Sequence, residues 1–442
     1  MKKILLFALL IPSLVISQTN PTSQSISYTQ DFSSLEWTST TYPNGIQGWV
    51  IGSAATSSFR TTLATGDQAL TASSSASTTT GGVHNFNGKI GFLSTGTLDP
   101  SICISINTSN KKNIVVNYDV MTMRNPYNGT SNTRINEVTL QYRIGNASSF
   151  TTLTGIEYQN NTTQQTVGTT GQNITSKSIT LPEQCDNQSS VQLRFVVRDV
   201  SGMGSRPSFA FDNISIYGNT IINFSDGSSY AANSGIPNTS NNPIGRFCLT
   251  GADNDGSLTG VTISLSGTRS GIEQLKLWRS NDDTFNANSD ELLATANDGA
   301  TVTFSSFSAS ISTSGTYFFI TADLNSSASG SISAKILNTS DLTFSAAALN
   351  SSISNAPLSS ESIPLPVELV SFIPTIEKDK VKLSWSTATE VNNLGFDIER
   401  KCENSEWKKI GFVQGHGNSN SPKNYTYTDQ PVGGINFKYR LK

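Results

Sequence analysis

In "NIVVNYDV" every second residue is apolar: Ile114, Val116, Tyr118 and Val120. The same two-residue period returns in "EVTLQYRI" (Val138, Leu140, Tyr142) and in "VQLRFVVRDV" (Val191, Leu193, Phe195, Val197). Successive side chains of an extended backbone point to opposite faces, so each burst reads as a strand with one face to hide. No amphipathic stretch of helical period runs longer than a turn or two. Half-apolar strands joined by Ser, Thr, Asn and Gly turns bury their apolar faces by laying sheet on sheet. The expected fold class is therefore all-β, built from sandwiches. In "RPSFAFDNISIYG" the phase slips: Phe209 and Phe211 share one parity, Ile214 and Ile216 the other. Either a bulge at Asp212-Asn213 or burial on both faces accounts for it.

Composition narrows the functional classes. Only 14% of the residues are charged and the net charge is −3, which gives no electrostatic footprint for nucleic acid or anionic lipid. The first residues, "MKKILLFALLIPSLVISQ", place Lys2 and Lys3 before an apolar run from Ile4 to Ile16, the pattern of a signal peptide over residues 1–17. That run falls short of the ~20 residues needed to span a bilayer. No later segment is long and apolar enough to span, so the expectation is an exported protein with no membrane span. Export permits disulfides. Of Cys103, Cys185, Cys248 and Cys402, the first two fall in one block and form the candidate disulfide; buried free thiols are the alternative for all four.

Three strand-rich blocks follow. The first covers 18–218. The second, 219–354, carries the strands "GVTISLSG", "EQLKLWRS" and "GTYFFITADL", with "SNDDTFNANSDEL" as a polar loop between two of them. Pro357, Pro364 and Pro366 mark 355–366 as a short stiff linker. The third, 367–442, has strands at Val381–Ser386, Phe396–Lys401, Trp407–Val413 and Phe437–Leu441.

The third block resembles the fibronectin type III-like domain common near the C-termini of secreted and surface proteins of the Bacteroidetes. The likeness rests on the "LPVEL" entry, "LSWSTATEVNNLGFDIER", the "IGFVQGHGNS" turn and the final "YRLK". It implies that Trp385 fills the core between the sheets and that Tyr439 stands where that fold has its corner tyrosine. It also implies a further strand beyond "YRLK", commonly followed by a sorting domain read by the type IX secretion machinery. On this reading the third sandwich is truncated, and an open reading frame is expected downstream of Lys442. The first block is similar to the N-terminal jelly-roll domains of the same class of proteins, through "YTQDFSSL", "YPNGIQGW" and "RFVVRDVSGMGSRPSFAFDNISI". The second is similar to the Ig-like β-sandwich that precedes the catalytic propeller in some bacterial sialidases, through "SGIEQLKLWRSNDDTF" and "SGTYFFITADL". The resemblances together imply three tandem β-sandwich domains: jelly roll, Ig-like sandwich and truncated fibronectin type III-like sandwich.

Catalysis needs convergent groups, and few are on offer. His84 and His416 belong to different blocks, and no HExxH, GxSxG or P-loop occurs. The visible chain is expected to be non-enzymatic, with no required cofactor. A structural calcium is one option: Asp31 and Asp212 lie on the first and last strands of the jelly roll, which are commonly neighbours, and hard carboxylate oxygens suit that ion. The alternative is that Asp31 caps a turn and Asp212 accepts backbone N–H groups at the bulge. A sugar site needs an exposed aromatic plane flanked by hydrogen-bonding side chains. Trp49 and Tyr127, with Arg124, Asn125 and Asn128, supply those types near polar turns. The alternative is that Trp49 is core and Tyr127 packs a loop.

The function these readings support is non-catalytic display or adhesion outside the cell, at the outer surface or in the medium, with polysaccharide or extracellular matrix as partner. Two alternatives stand beside it. One is an accessory substrate-binding region of a secreted hydrolase; the other is a ligand-free structural spacer.

Overall fold

The computed structural model describes residues 18–232, 235–364, 369–388, 390–402, 405–419, 421–432 and 436–442. The segment 1–17, expected as a signal peptide, and the expected domain boundary at 366/367 lie outside them. The fold is all-β with several packed sheets. Among the described residues the only helical turns are the two short 3₁₀ segments Glu183–Cys185 and Thr339–Asp341. No helix among them is long and apolar enough to cross a membrane.

The chain divides into two compact units, 1–219 and 220–442. In the first, one sheet runs in the order Thr151–Thr152, Ile135–Ile144, Val191–Ser201, Asp99–Asn107, Ile46–Gly52, Gly66–Asp67. The facing sheet contains Gln172–Thr180, Lys111–Arg124, the first part of Ser208–Ser225, Ile90–Leu93, Gly82–Asn85 and Leu70–Thr71. The alternating residues meet between them as expected: Ile114, Val116, Tyr118 and Val120 share one core with Val138, Leu140, Tyr142, Val191, Leu193, Phe195 and Val197. Phe195 stacks on Phe211, ring centroids 3.8 Å apart. Phe209, Phe211, Ile214 and Ile216 all enter this same core, so the phase slip is a bulge. Asn213 sits at φ 49°, the left-handed region that Asn tolerates better than most side chains.

The outward face of the first sheet is closed as well. Asp99, Ser101, Cys103 and Ser105 on one strand, and Gln192, Arg194 and Val196 on the next, are buried. Loops lie over them: Arg194 donates to the carbonyls of Thr62 and Arg60 at 2.9 Å each, and the Phe150 N–H donates to Thr61. This face corrects the disulfide expectation. Cys103 is a free thiol on the outward side, packed with Trp49 and Phe150, whereas Cys185 is a free thiol in the core between the sheets. Strand alternation turns the Cys103 side chain to the outward face of its sheet, whereas Cys185, at the end of the 3₁₀ segment Glu183–Cys185, packs on the inner side.

In the second unit, Glu291–Ala296, Ser270–Ser280, Thr316–Ser329 and Thr239–Gly251 form one sheet, which Thr220–Ser225 continues. A facing sheet is ordered Thr301–Phe304, Ser257–Ser266, Ser331–Asn338, Ser354–Pro357. The segment expected as linker belongs partly to this sandwich. Ser354–Pro357 pairs antiparallel with Ser331–Asn338, and Ile363–Pro364 pairs with Ser331 and Ile332. Proline fits there because Ser354–Pro357 ends the strand order, where a missing N–H leaves no ladder bond broken.

The third sandwich opposes Leu369–Glu377, Lys380–Thr387 and Lys423–Asp429 to Lys408–Ser419, Glu390–Cys402 and Phe437–Leu441. Trp385 is buried at its centre and stacks on Tyr425 at 5.5 Å. Tyr439 differs from the corner-tyrosine expectation. Its hydroxyl donates to the Asp429 carboxylate at 2.7 Å rather than to the main chain, and Arg400 meets the same oxygen at 2.6 Å.

Candidate functional site

The five residues expected around a sugar do not converge. Trp49 is fully buried, and its Nε1 donates to the Thr19 carbonyl at 2.9 Å. It meets Phe150 edge-on and carries the Arg143 guanidinium 5.5 Å from its ring centre, so no face is free to stack on a pyranose. The covering loops remove the exposure that the sugar reading required. Asn125 is buried too, with Nδ2 donating at 2.8 Å to the carbonyls of both Asn161 and Thr163. It fastens a loop. Asn128 is exposed, but its Oδ1 accepts from the N–H groups of Thr130 and Asn132, the work of a turn former. Tyr127 is half-buried in the same loop.

Arg124 is the exception. It ends the long strand Lys111–Arg124 and lines an open groove of about 430 Å³ on the first sandwich, together with Thr79, Thr95, Asn132, Ser205 and Arg206. Its backbone N–H donates to Ser208 Oγ, and Nη1 donates to the Ala76 carbonyl at 3.1 Å. Burial lowers its pKa from the ordinary arginine value. Arg206, by contrast, is paired: Nη2 lies 2.7 Å from Asp199 Oδ2, and Arg134 reaches that oxygen at 2.9 Å.

The groove walls are held by short-range bonds. The Ser205 N–H donates to Asn132 Oδ1 at 2.8 Å, the Thr133 N–H to the Met203 carbonyl, and Arg134 Nε to the Gly204 carbonyl. Gly204, at φ 91°, passes so close to Ser131 and Asn132 that an added Cβ would lie 2.5 Å from their atoms. Glycine is required there on both counts. On the opposite side, Gly96 has open space around it. The lining is therefore hydroxyls, an amide and two guanidiniums on a braced frame, a set suited to hydrogen-bonding a polar ligand. Sequence reasoning found Arg124 and missed Asn132, Ser205 and Arg206. The only signal was "SGMGSRP", a Gly-rich loop carrying an arginine beside a proline.

The calcium pair is partly realised. Tyr28–Gln30 does pair with Ile214–Ile216, which brings Asp31 and Asp212 to neighbouring strands. Asp31 Oδ1 accepts from the N–H and hydroxyl of Ser33, which lower its pKa, and the side chain is exposed. Asp212 accepts from the Asn213 N–H; burial raises its pKa, with Asp119 and Asp31 adding to the rise. Both carboxylates therefore do the turn and bulge work given as the alternative. Among the described residues no group of three or more His, Cys, Asp or Glu is placed to hold a metal.

His84 is buried, with Nδ1 3.0 Å from Ser74 Oγ and Nε2 3.0 Å from the Thr80 carbonyl. Desolvation takes its pKa down to about 4. It is a neutral loop fastener rather than a poised base. A larger cavity of about 910 Å³ lies in the third sandwich, against Phe372, Val381, Trp407, Phe437 and Tyr439. Its walls are mainly apolar and continue the core of that sandwich, with Asn436, Lys438 and Arg440 as their polar members.

Neither a known protein family nor a curated protein matches the sequence. Among solved structures, the chain is similar to the crystal structure of a β-1,2-glucanase from Parabacteroides distasonis, at 10% identity and a TM-score of 0.20. The match covers 78% of this chain and 39% of that one, so the chain spans well under half of the glucanase's length.

Proposed function

We propose that this chain is an exported, non-catalytic attachment protein that holds polysaccharide in the groove of its first sandwich. One observation carries the reading: Thr79, Thr95, Asn132, Ser205, Arg124 and Arg206 converge on one open, braced groove. Sugars present dense hydroxyls, and a groove lined by hydroxyl, amide and guanidinium groups can exchange hydrogen bonds with several of them at once. A general acid and base need placed titratable groups, and the groove lining contains no Asp, Glu or His. The charge-poor composition fits display outside the cell, since such a surface offers hydrogen bonds without a strong field.

The test is binding of the full chain to a panel of immobilised polysaccharides, with Gly96→Trp as the blocking variant. Gly96 has open space where a side chain would start, so an indole there fills the groove with little strain. Retention on at least one polysaccharide, lost in Gly96→Trp at unchanged thermal stability, is the expected result. No retention across the panel, or retention indifferent to Gly96→Trp, overturns the reading.

A further inference from the structure

We infer that the groove selects an anionic sugar residue, one carrying a carboxylate or a sulfate ester, and that Arg124 is the residue that reads the anion. The inference rests on the polysaccharide reading and sharpens it. Among the described residues of the first sandwich, Arg60 pairs with Asp99, Arg198 with Glu137, and Arg134 and Arg206 both with Asp199. Arg124 has no such partner among the described residues. Of the five N–H donors of a guanidinium, only one is used, by the Ala76 carbonyl. That single bond fixes the side chain and leaves Nε and Nη2 without a protein acceptor.

The local charge points the same way. Arg134 and Arg206 share the carboxylate of Asp199 while Arg124 meets no acid among the described residues, so the guanidiniums at this rim are only partly compensated, in a chain whose net charge is −3. An uncompensated, half-buried guanidinium is costly to keep and gains most from an anion that accepts two N–H bonds side by side. Uronate carboxylates and sulfate esters both present paired oxygens at that spacing. Asn132, Thr95 and Ser205 then remain for the sugar hydroxyls.

Affinity of the full chain for polygalacturonate, for its methyl-esterified form and for a sulfated galactan tests this. Binding to at least one of the two acidic polymers is expected, and which one identifies the anion. Methyl esterification should weaken polygalacturonate binding roughly ten-fold or more if the carboxylate is the group read. Arg124→Gln should lower affinity for the acidic polymer by a similar factor, and Arg124→Lys should recover only part of it, because an ammonium lacks the fork. Retention on neutral polysaccharides alone, blocked by Gly96→Trp and indifferent to Arg124→Gln, would overturn the anion inference and leave the groove reading standing. Acidic-polymer binding unchanged in both variants would mark nonspecific attraction and overturn it too. No binding to any polymer would sink both.

Discussion

The first and third sandwiches use the same strand alternation and treat their outer faces differently. In the third, Lys382, Ser384 and Ser386 point away from the core and stay partly exposed, and Leu369–Glu377 exposes most of its residues. In the first, the outward residues of three adjacent strands are buried under loops by a polar layer. Arg143 and Arg194 lie over the Phe150 ring at 4.4 and 3.8 Å and donate to Gln192 and Gln141. A second closed layer lets one module brace its rim loops, and so hold a groove in shape. Among the described residues, the buried apolar cluster of the third module is the small set Leu383, Trp385, Phe396, Ile398 and Tyr425.

The sharpest way to break the comparison is to remove one large core side chain from each. Trp385→Ala should cost about 3–5 kcal/mol and unfold the third sandwich outright, because so few other side chains share its core. Phe195→Ala should cost a similar amount in the first yet leave it folded at room temperature, as urea unfolding followed by tryptophan fluorescence would show. If the first module collapsed and the third survived, the contrast in core size would be wrong.

Next comes the polar layer. Arg194→Ala strands the Gln141 carbonyl oxygen and two backbone carbonyls, and should destabilise the first module by about 2–4 kcal/mol. Lys382→Ala, at the equivalent outward position of the third, should change stability by no more than about 0.5 kcal/mol.

Acid should also separate the two regions. His84 titrates near 6.5 when unfolded and about 4 when folded, so the unfolded chain binds the proton more readily. Its contribution is fully present above pH 6.5 and lost as pH falls towards 4, up to about 3 kcal/mol. Asp99 acts in the opposite sense. Burial lifts it to about 6, so the folded state takes up its proton first, and stability gained below 4 is lost as pH rises through 6. His84→Gln should therefore flatten the acid limb of the first module's unfolding curve, and Asp99→Asn should steepen it. Smallest of all, Ile376→Thr on the exposed third-module strand should shift the midpoint by no more than about 0.5 kcal/mol.

The inward half of this architecture was legible in the sequence because a period of two states which residues share a face. Ile114 through Val120 and Val191 through Val197 are placed by that rule alone, and Trp385 by the resemblance of its block. The outward half was not. Nothing in "VQLRFVVRDV" says that Gln192 and Arg194 lie under loops, since burial of that face depends on segments far along the chain, such as Thr61, Thr62 and Phe150. Trp49 follows the core alternative rather than the sugar reading for the same reason. Arg124 was found because it stands beside a polar turn; Arg206 and Asn132 were not, because the groove forms only when three separate loops meet. Pro357 hid a strand, as proline reads as a breaker unless the strand is known to be an edge.

The bulge at Asn213 sets the chain's tolerance to length changes. Deleting that one residue would invert every later position of the strand, turning Ile214 and Ile216 to water and Ser215 and Tyr217 inward. A deletion there should be far more damaging than any substitution at the same place, and an insertion no better. The left-handed asparagine thus works as a spacer whose presence, more than its chemistry, keeps the two halves of the strand in step.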